Sequence, residues 1–131
     1  MRLLLDTHIW LWSLGDPSRL GKNVVSALQS KDNELWISPI TLWEVLVLAD
    51  KNRISLTAPV EDWLAQALRT APVKEAPVTN EVALETGRFQ LPHRDPADRF
   101  LVATARVFEL TLVTADQKII NAKAVPVLAN R

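Results

Sequence analysis

Cysteine is missing from all 131 residues of the chain. Its absence excludes disulfide bonds, thiolate metal sites and cysteine nucleophiles together. Long apolar runs are missing as well, since no stretch approaches the roughly 18 residues that a membrane-spanning helix needs. Three leucines lie near the N-terminus, but Asp6 interrupts them before a signal-peptide core of about 7 residues forms. The sequence therefore predicts a cytoplasmic protein with no membrane span.

An excess of either charge is also missing, because 15 basic and 15 acidic side chains give a net charge of +0. No overall field attracts nucleic acid, so any polyanion would need a local basic patch or metal ions to bind. The 48% hydrophobic and 23% charged content is typical of an ordinary globular protein. The length predicts a single domain over residues 1–131, with a substantial core.

Short apolar runs alternate with amphipathic stretches along the chain. They predict strands at residues 3–5, 35–37, 110–114 and 125–128 and helices at residues 8–14, 20–30, 39–50, 59–69, 79–88, 96–109 and 116–122. Residues 73–78 predict a short edge strand, because Pro72 and Pro77 exclude a central one. Ser18 is predicted to cap the helix at 20–30. Strands alternating with helices predict an α/β sandwich with a mostly parallel sheet.

The first predicted strand, Leu3-Leu4-Leu5, ends abruptly in Asp6. A continuous apolar run is typical of a strand buried on both faces of a parallel sheet. Ligands of open α/β sheets bind outside the carboxyl ends of the strands, which places Asp6 for chemistry. The alternative is that Asp6 only caps the helix that follows.

Three further acids, Glu44, Asp98 and Asp116, also lie at or near element ends. If the strands are parallel, all four carboxylates can converge at one edge of the sheet. Converging carboxylates repel one another unless something positive lies between them. Mg²⁺ or Mn²⁺ fits such an oxygen-only set better than zinc, since the chain has neither cysteine nor a histidine cluster. Carboxylates that hold these ions at an open edge suit phosphodiester hydrolysis.

Structural roles would also explain some of these acids. Asp98 is at the third helical position, where an acid favours the helix dipole and can close a capping box with Asp95. Asp116 can be an ordinary turn acid. Glu44 lies in a helix that is apolar on nearly every side, where an acid is costly unless it is paired or metal-bound.

Four segments together carry a resemblance to a known family. They are Leu3-Leu4-Leu5-Asp6-Thr7-His8, Ser38-Pro39-Ile40-Thr41-Leu42-Trp43-Glu44, His93-Arg94-Asp95-Pro96-Ala97-Asp98-Arg99 running into Leu101-Val102-Ala103-Thr104-Ala105, and Leu110-Thr111-Leu112-Val113-Thr114-Ala115-Asp116. In this order and with these separations, the chain resembles a PIN-domain ribonuclease, specifically a VapC-type toxin of a type II toxin–antitoxin pair. The resemblance covers essentially the whole chain.

The resemblance implies a three-layer PIN sandwich with endoribonuclease activity that depends on Mg²⁺ or Mn²⁺. Its acidic set would be Asp6, Glu44, Asp98 and Asp116, while Asp95 also matches a motif position of the nearest subgroup. Thr114 matches a small hydroxyl residue that would orient a ligand or water. The resemblance also implies a homodimer that is inhibited by a small antitoxin from the neighbouring gene.

Substrate contacts are predicted for Arg94, Arg99 and His93, and Arg88 is a further basic candidate for RNA specificity. Either His8 or His93 could instead be a structural side chain. The alternative function is a non-catalytic PIN-like RNA-binding or regulatory module, which metal-dependent RNA cleavage would separate from the enzyme.

The tryptophans predict an interface. Trp10 and Trp12 are two apart on a predicted helix and so cannot face the same way. Together with Trp43 on the apolar helix that carries Glu44, they suggest more apolar surface than one small core absorbs, as at a protein interface. The alternative is a tryptophan-rich core.

Overall fold

The structure is a computed structural model that describes residues 1–92 and 95–131. The predicted substrate contacts at His93 and Arg94 lie outside the described residues. The strands are β1 Arg2–Leu5, β2 Glu34–Ile37, β3 Lys74–Glu75, β4 Thr111–Thr114 and β5 Val127–Ala129. The α-helices are α1 Thr7–Gly15, α2 Lys22–Gln29, α3 Pro39–Asp50, α4 Val60–Thr70, α5 Asn80–Glu85, α6 Pro96–Phe108 and α7 Gln117–Ala122, and a 3-10 turn spans Pro17–Arg19.

The five strands form one sheet in the order β3-β2-β1-β4-β5, and every pairing is parallel. Strand β1 is central: Leu4 lies opposite Trp36 of β2 on one side and opposite Leu112 of β4 on the other. This position explains why β1 is apolar throughout its interior, since both faces of a central parallel strand are covered. The predicted α/β sandwich with a mostly parallel sheet is confirmed.

Helices cover both faces of the sheet. Leu4 belongs to the core cluster that contains Leu101 of α6, whereas Leu3 and Leu5 belong to the opposite cluster, with Val45 of α3. Alternate side chains of a strand point to opposite faces, so one three-residue run supplies both cores. The result is three layers.

Local capping fixes where two helices begin. Ser38 accepts a hydrogen bond from the amide of Ile40, and Asp95 accepts one from the amide of Ala97, each with proline at the first helical position. Proline is pre-organised for that position and lacks an amide that would need a partner. Because α3 directly follows β2 and α6 runs directly into β4, both helices start at the edge of the sheet where the parallel strands end.

Several predicted bounds differ from the structure. The predicted helix at 79–88 is limited to Asn80–Glu85, and the edge strand at 73–78 to Lys74–Glu75. Ser18 does not cap α2; it lies in the 3-10 turn and donates to Oδ1 of Asp16 at 2.6 Å. Gly21 precedes α2 instead, because its amide donates to Oδ1 of Asn130 and any Cβ there would overlap the carbonyl oxygen of Arg131.

The tryptophan prediction is wrong for Trp10 and correct for the exposure of Trp43. Trp10 is 1% exposed and packs edge-on against Trp63 of α4, with ring centroids 5.9 Å apart, so it belongs to the core. Trp43 is 52% exposed, and Leu46 one turn later is 38% exposed. Across the described residues, none of the helices has both the length and the apolar character to cross a membrane.

Candidate active site

Asp6 ends β1 and caps α1. Its Oδ1 accepts from the amide of Thr7 at 2.7 Å, and its own amide donates to the carbonyl of Val113 on β4 at 3.0 Å. The carboxylate is therefore held between two neighbouring strand ends. The two readings of Asp6, as a cap and as a placed acid, are compatible in this geometry.

Thr7 joins Glu44 to the same strand end. Its hydroxyl donates to Oε1 of Glu44 at 2.5 Å, while its side chain is only 1% exposed. The bond connects α1 to α3 and fixes the orientation of the Glu44 carboxylate. Thr7 was not among the predicted site residues; the only signal in the sequence is a hydroxyl immediately after the acid at the strand end.

Thr114 connects Asp6 to Asp116. Its hydroxyl donates to Oδ2 of Asp6 at 2.6 Å and accepts from the amide of Asp116 at 3.0 Å. The Asp116 amide can only donate, so the Thr114 oxygen accepts from it. The single hydroxyl proton of Thr114 is then donated to Asp6. Asp116 in turn caps α7 by accepting from the amide of Lys118 at 2.8 Å.

The start of α6 supplies two more acids. Asp95 is exposed and caps the helix through its bond with the Ala97 amide, whereas Asp98 is 8% exposed in the first turn. An acid in a first turn is favoured by the helix dipole, so this position tolerates a largely buried carboxylate.

These carboxylates share one open cleft of about 440 Å³. Its lining consists of Asp6, His8, Ile9, Trp12, Glu44, Asp95, Asp98, Ala115 and Asp116. A larger groove of about 730 Å³ lies beside β5, but its described lining contains no carboxylate side chain. Chemistry rather than size therefore identifies the cleft as the candidate active site.

Burial and mutual repulsion raise the pKa of two of these acids. The pKa of Asp6 is raised, first by burial and then by the charge of Asp116, against the opposing hydrogen bonds from Thr114 and Thr7. The pKa of Glu44 is raised to about 7, first by burial and then by the charges of Asp6, Asp98 and Asp95. Among the described residues that line the cleft, the five acids outnumber the single histidine, His8, whose charge lowers the pKa of Asp6.

The donor chemistry fits a hard divalent cation. Within residues 1–92 and 95–131, no three His, Asp or Glu side chains are already grouped closely enough to hold a metal ion. Mg²⁺, however, keeps several waters and is usually bound through only one or two carboxylates, so a pre-formed shell is not required. A cleft whose described donors are five carboxylates and one imidazole suits a largely hydrated Mg²⁺ or Mn²⁺.

Arg99 does not line this cleft. Its guanidinium donates to the carbonyls of Thr86 and Phe89 at 2.7 and 3.3 Å and lies over the Phe89 ring. Arg88 pairs with Glu85 at 3.2 Å on the same segment. Arg99 thus contacts residues that follow α5, and Arg88 pairs with the last residue of that helix.

The fold and the acidic cleft together define a PIN-domain protein. The family model described as "PIN domain" matches residues 3–125, and the chain belongs to the PIN-domain family. Ribonuclease VapC22 of Mycobacterium tuberculosis is 35% identical over 120 residues, which cover 89% of this chain and 88% of that protein. The resemblance to VapC-type PIN-domain proteins, predicted from four segments, is confirmed.

Solved structures agree on the fold. The complex VapBC2 from Rickettsia felis, bound to a DNA fragment from its promoter, contains a chain that matches with a TM-score of 0.74 and 16% identity, covering 100% of both chains. DNA-bound VapBC from Salmonella typhimurium matches with a TM-score of 0.73 and 18% identity, covering 98% of both. At these identities the likeness concerns the fold alone.

Proposed function

We propose that this chain is a Mg²⁺- or Mn²⁺-dependent endoribonuclease and the toxin of a toxin–antitoxin pair. One observation carries the proposal: the acids Asp6, Glu44, Asp95, Asp98 and Asp116 line one cleft in a PIN-domain chain. The relative named as a ribonuclease supports RNA as the substrate. We further propose that residues 1–131 act as a single domain in the cytoplasm.

Asp6, Asp98 and Asp116 would hold the metal, with Glu44 beside them and Asp95 as a weaker candidate. When bound, the ion supplies a more acidic water and stabilises charge on the leaving oxygen of the phosphodiester. Thr114 keeps Asp6 oriented toward the cleft through its 2.6 Å bond, so that carboxylate needs little reorganisation.

Glu44 would act as the general base that accepts a proton from water in the cleft. Its pKa of about 7 lets it accept or release a proton near neutral pH, which is the property a general base requires. Since Thr7 holds Oε1, Oε2 is the oxygen that exchanges a proton with water in the cleft. That pKa is the metal-free one: burial, its larger cause, would remain with a cation bound, but repulsion from the neighbouring carboxylates would be offset, so Glu44 would be an ionised base.

Two partners belong to the proposal. The solved VapBC relatives are toxin–antitoxin complexes, which supports a small antitoxin as a partner of this chain. The exposed pair Trp43 and Leu46 supports a homodimer, since apolar patches on a surface mark protein interfaces.

Metal-dependent cleavage tests the function. Purified protein should cut single-stranded or loop regions of RNA, because unstacked strands can reach an open edge of the sheet. Cleavage should require Mg²⁺ or Mn²⁺ and should stop in excess EDTA. Asp6→Asn should abolish cleavage, whereas Asp32→Asn, at an exposed turn before β2, is the matched control and should not. Full activity in EDTA or in Asp6→Asn contradicts the proposal; RNA binding without cleavage favours a non-catalytic RNA-binding module.

A further inference from the structure

A second groove, of about 390 Å³, continues from the acidic cleft. His8 and Trp12 line both, so the two spaces share a wall on α1. Beyond them the groove is lined by the C-terminal part of α1, by residues 53–57 and by Trp63 of α4. A ligand that extends from the cleft past His8 and Trp12 would therefore meet this groove.

The charge of the lining changes from the cleft to the groove. Among the described residues that line the cleft, five are acidic and none is Lys or Arg. The groove is lined by Arg19 and Arg53, with Asp16 as its one acid among the described lining residues. That acid already accepts the Ser18 hydroxyl at 2.6 Å. An anionic chain repelled by the bare cleft is therefore attracted next to it.

The two arginines are available for a ligand. Both are exposed, and neither guanidinium forms a salt bridge within residues 1–92 and 95–131. The guanidinium of Arg19 lies over the Trp12 ring, 4.9 Å from its centroid, which restricts its motion while its donors remain free at the edges. A planar, partly immobilised guanidinium is well suited to phosphate oxygens.

Aromatic rings lie beside these charges. The rings of His8 and Trp12 are 5.7 Å apart and tilted by 51°, at the junction between cleft and groove. Proteins that bind single-stranded RNA combine basic groups along the backbone with aromatic side chains on which bases stack. The junction supplies both within one α1 face and the turn that follows it.

We propose that this groove carries single-stranded RNA away from the cleft, with Arg19 and Arg53 on its phosphates and bases against His8 and Trp12. The proposal rests on the proposed function, because it takes the cleft as the place where RNA is cut. The basic side chains of the groove favour RNA as its ligand. Because the chain as a whole has no net charge, a polyanion requires a local basic site of this kind.

Binding in EDTA tests the groove without cleavage. A fluorescent single-stranded RNA of about 12 nucleotides, within the usual range of site sizes, is titrated at several salt concentrations and followed by anisotropy. If each arginine contacts one phosphate, Arg19→Ala/Arg53→Ala should bind at least several-fold more weakly and reduce the salt slope by about 1.4. Arg19→Lys/Arg53→Lys should keep most of the slope, because it keeps both charges.

Lys31→Ala/Arg69→Ala is the matched control. It also removes two exposed charges, but from the turn before β2 and the last turn of α4, which lie toward the edge where the parallel strands begin. Its affinity and salt slope should remain at wild-type values. A melting curve for each variant separates lost binding from lost folding.

The outcomes for groove and function are distinct. Arginine-dependent RNA binding supports the groove even if metal ions then elicit no cleavage, a result that would contradict only the nuclease. Metal-dependent cleavage with an unchanged salt slope in Arg19→Ala/Arg53→Ala overturns the groove and leaves the nuclease standing. Unchanged RNA binding together with weaker binding of a protein partner also overturns it, since the groove would then belong to that partner.

Discussion

The hydroxyl of Thr7 donates a 2.5 Å hydrogen bond to Oε1 of Glu44, and the amide of the same residue donates to Oδ1 of Asp6 at 2.7 Å. One buried threonine thereby orients two carboxylates that belong to different elements, the end of β1 and the middle of α3. Its bond to Glu44 lowers the pKa of that acid, but burial has the larger effect. Thr7 consequently limits how far the pKa of Glu44 rises.

Thr7→Val removes the hydroxyl while nearly preserving shape and volume. Without metal the pKa of Glu44 should rise further than in the wild type. With metal bound, the pH–rate profile should still lie at higher pH than the wild-type profile, with a lower rate at neutral pH, because the carboxylate lacks the same hydrogen bond. Thr7→Ser keeps the hydroxyl and should retain the wild-type profile. Losing one hydrogen bond also predicts about 0.5–1.5 kcal/mol less stability in urea unfolding for the valine variant. A profile of Thr7→Val identical to that of the wild type would contradict the assignment of Thr7 as the residue that orients Glu44.

Acid should stabilise the metal-free protein. The folded-state pKa of Glu44, about 7, exceeds the ordinary 4.5, and the pKa of Asp6 is also raised. Between pH 4.5 and about 7 the native state therefore binds more protons than the unfolded state, and the free energy of unfolding falls as the pH rises. The stabilisation from protonated Glu44 is complete below pH 4.5 and is lost as the pH rises through about 7.

Thermal melts in EDTA measure this dependence. The Tm should be a few degrees higher at about pH 5.5 than at about pH 8, and Glu44→Gln should flatten the difference. Glu34 and Glu85 have lowered pKas, so their stabilisation is lost only at more acidic pH. Saturating Mn²⁺ should reverse the trend, since metal ligands must be deprotonated. A metal-free Tm that rises steadily from pH 5.5 to 8 would contradict the sign.

Local patterns made part of the site predictable. A run of apolar residues that ends in an acid, or an acid followed by proline, is encoded within a few positions, and Asp6 and Asp95 are both found where such patterns indicate. The acids converge because the strands are parallel, and the alternation of strands with helices in the sequence predicted a parallel sheet. These features depend on neighbours in sequence or on simple topology.

Contacts between distant segments were not predictable from such patterns. The bond between Thr7 and Glu44 spans 37 positions and depends on how α1 crosses α3. The burial of Trp10 depends on Trp63, which α4 brings over the same helix. Arg99 looked like a substrate contact in sequence, yet its partners are carbonyls of a loop whose path no residue pattern encodes.

The exposed pair Trp43 and Leu46 should mediate self-association. Replacing both with lysine places two charges on an apolar patch, which a desolvated interface does not tolerate. Light scattering should show a dimer for the wild type and a monomer for Trp43→Lys/Leu46→Lys. Leu84→Lys is the control, since Leu84 is 65% exposed on a different helix and should leave the dimer intact. A wild-type protein that is monomeric at every concentration would rule out this role for the patch.

Asp95 and Asp98 should separate into a helix cap and a metal ligand. Asparagine caps a helix as well as aspartate does, so Asp95→Asn should keep the fold and much of the activity. Asp95→Ala should lose about 1 kcal/mol of stability, because the bond to the Ala97 amide at 3.0 Å is removed.

Asp98→Asn should instead nearly abolish cleavage. Without metal it should leave the Tm unchanged or raise it, because the charge of Asp98 is one of those that raise the pKa of Glu44. With Mn²⁺, the wild type should gain more stability than Asp98→Asn, since a lost ligand weakens binding to the native state. RNA cleavage assays and thermal melts with and without Mn²⁺, on all three variants, give the comparison. Activity that survives in Asp98→Asn but disappears in Asp95→Asn would show that the exposed cap, and not the buried first-turn acid, holds the metal.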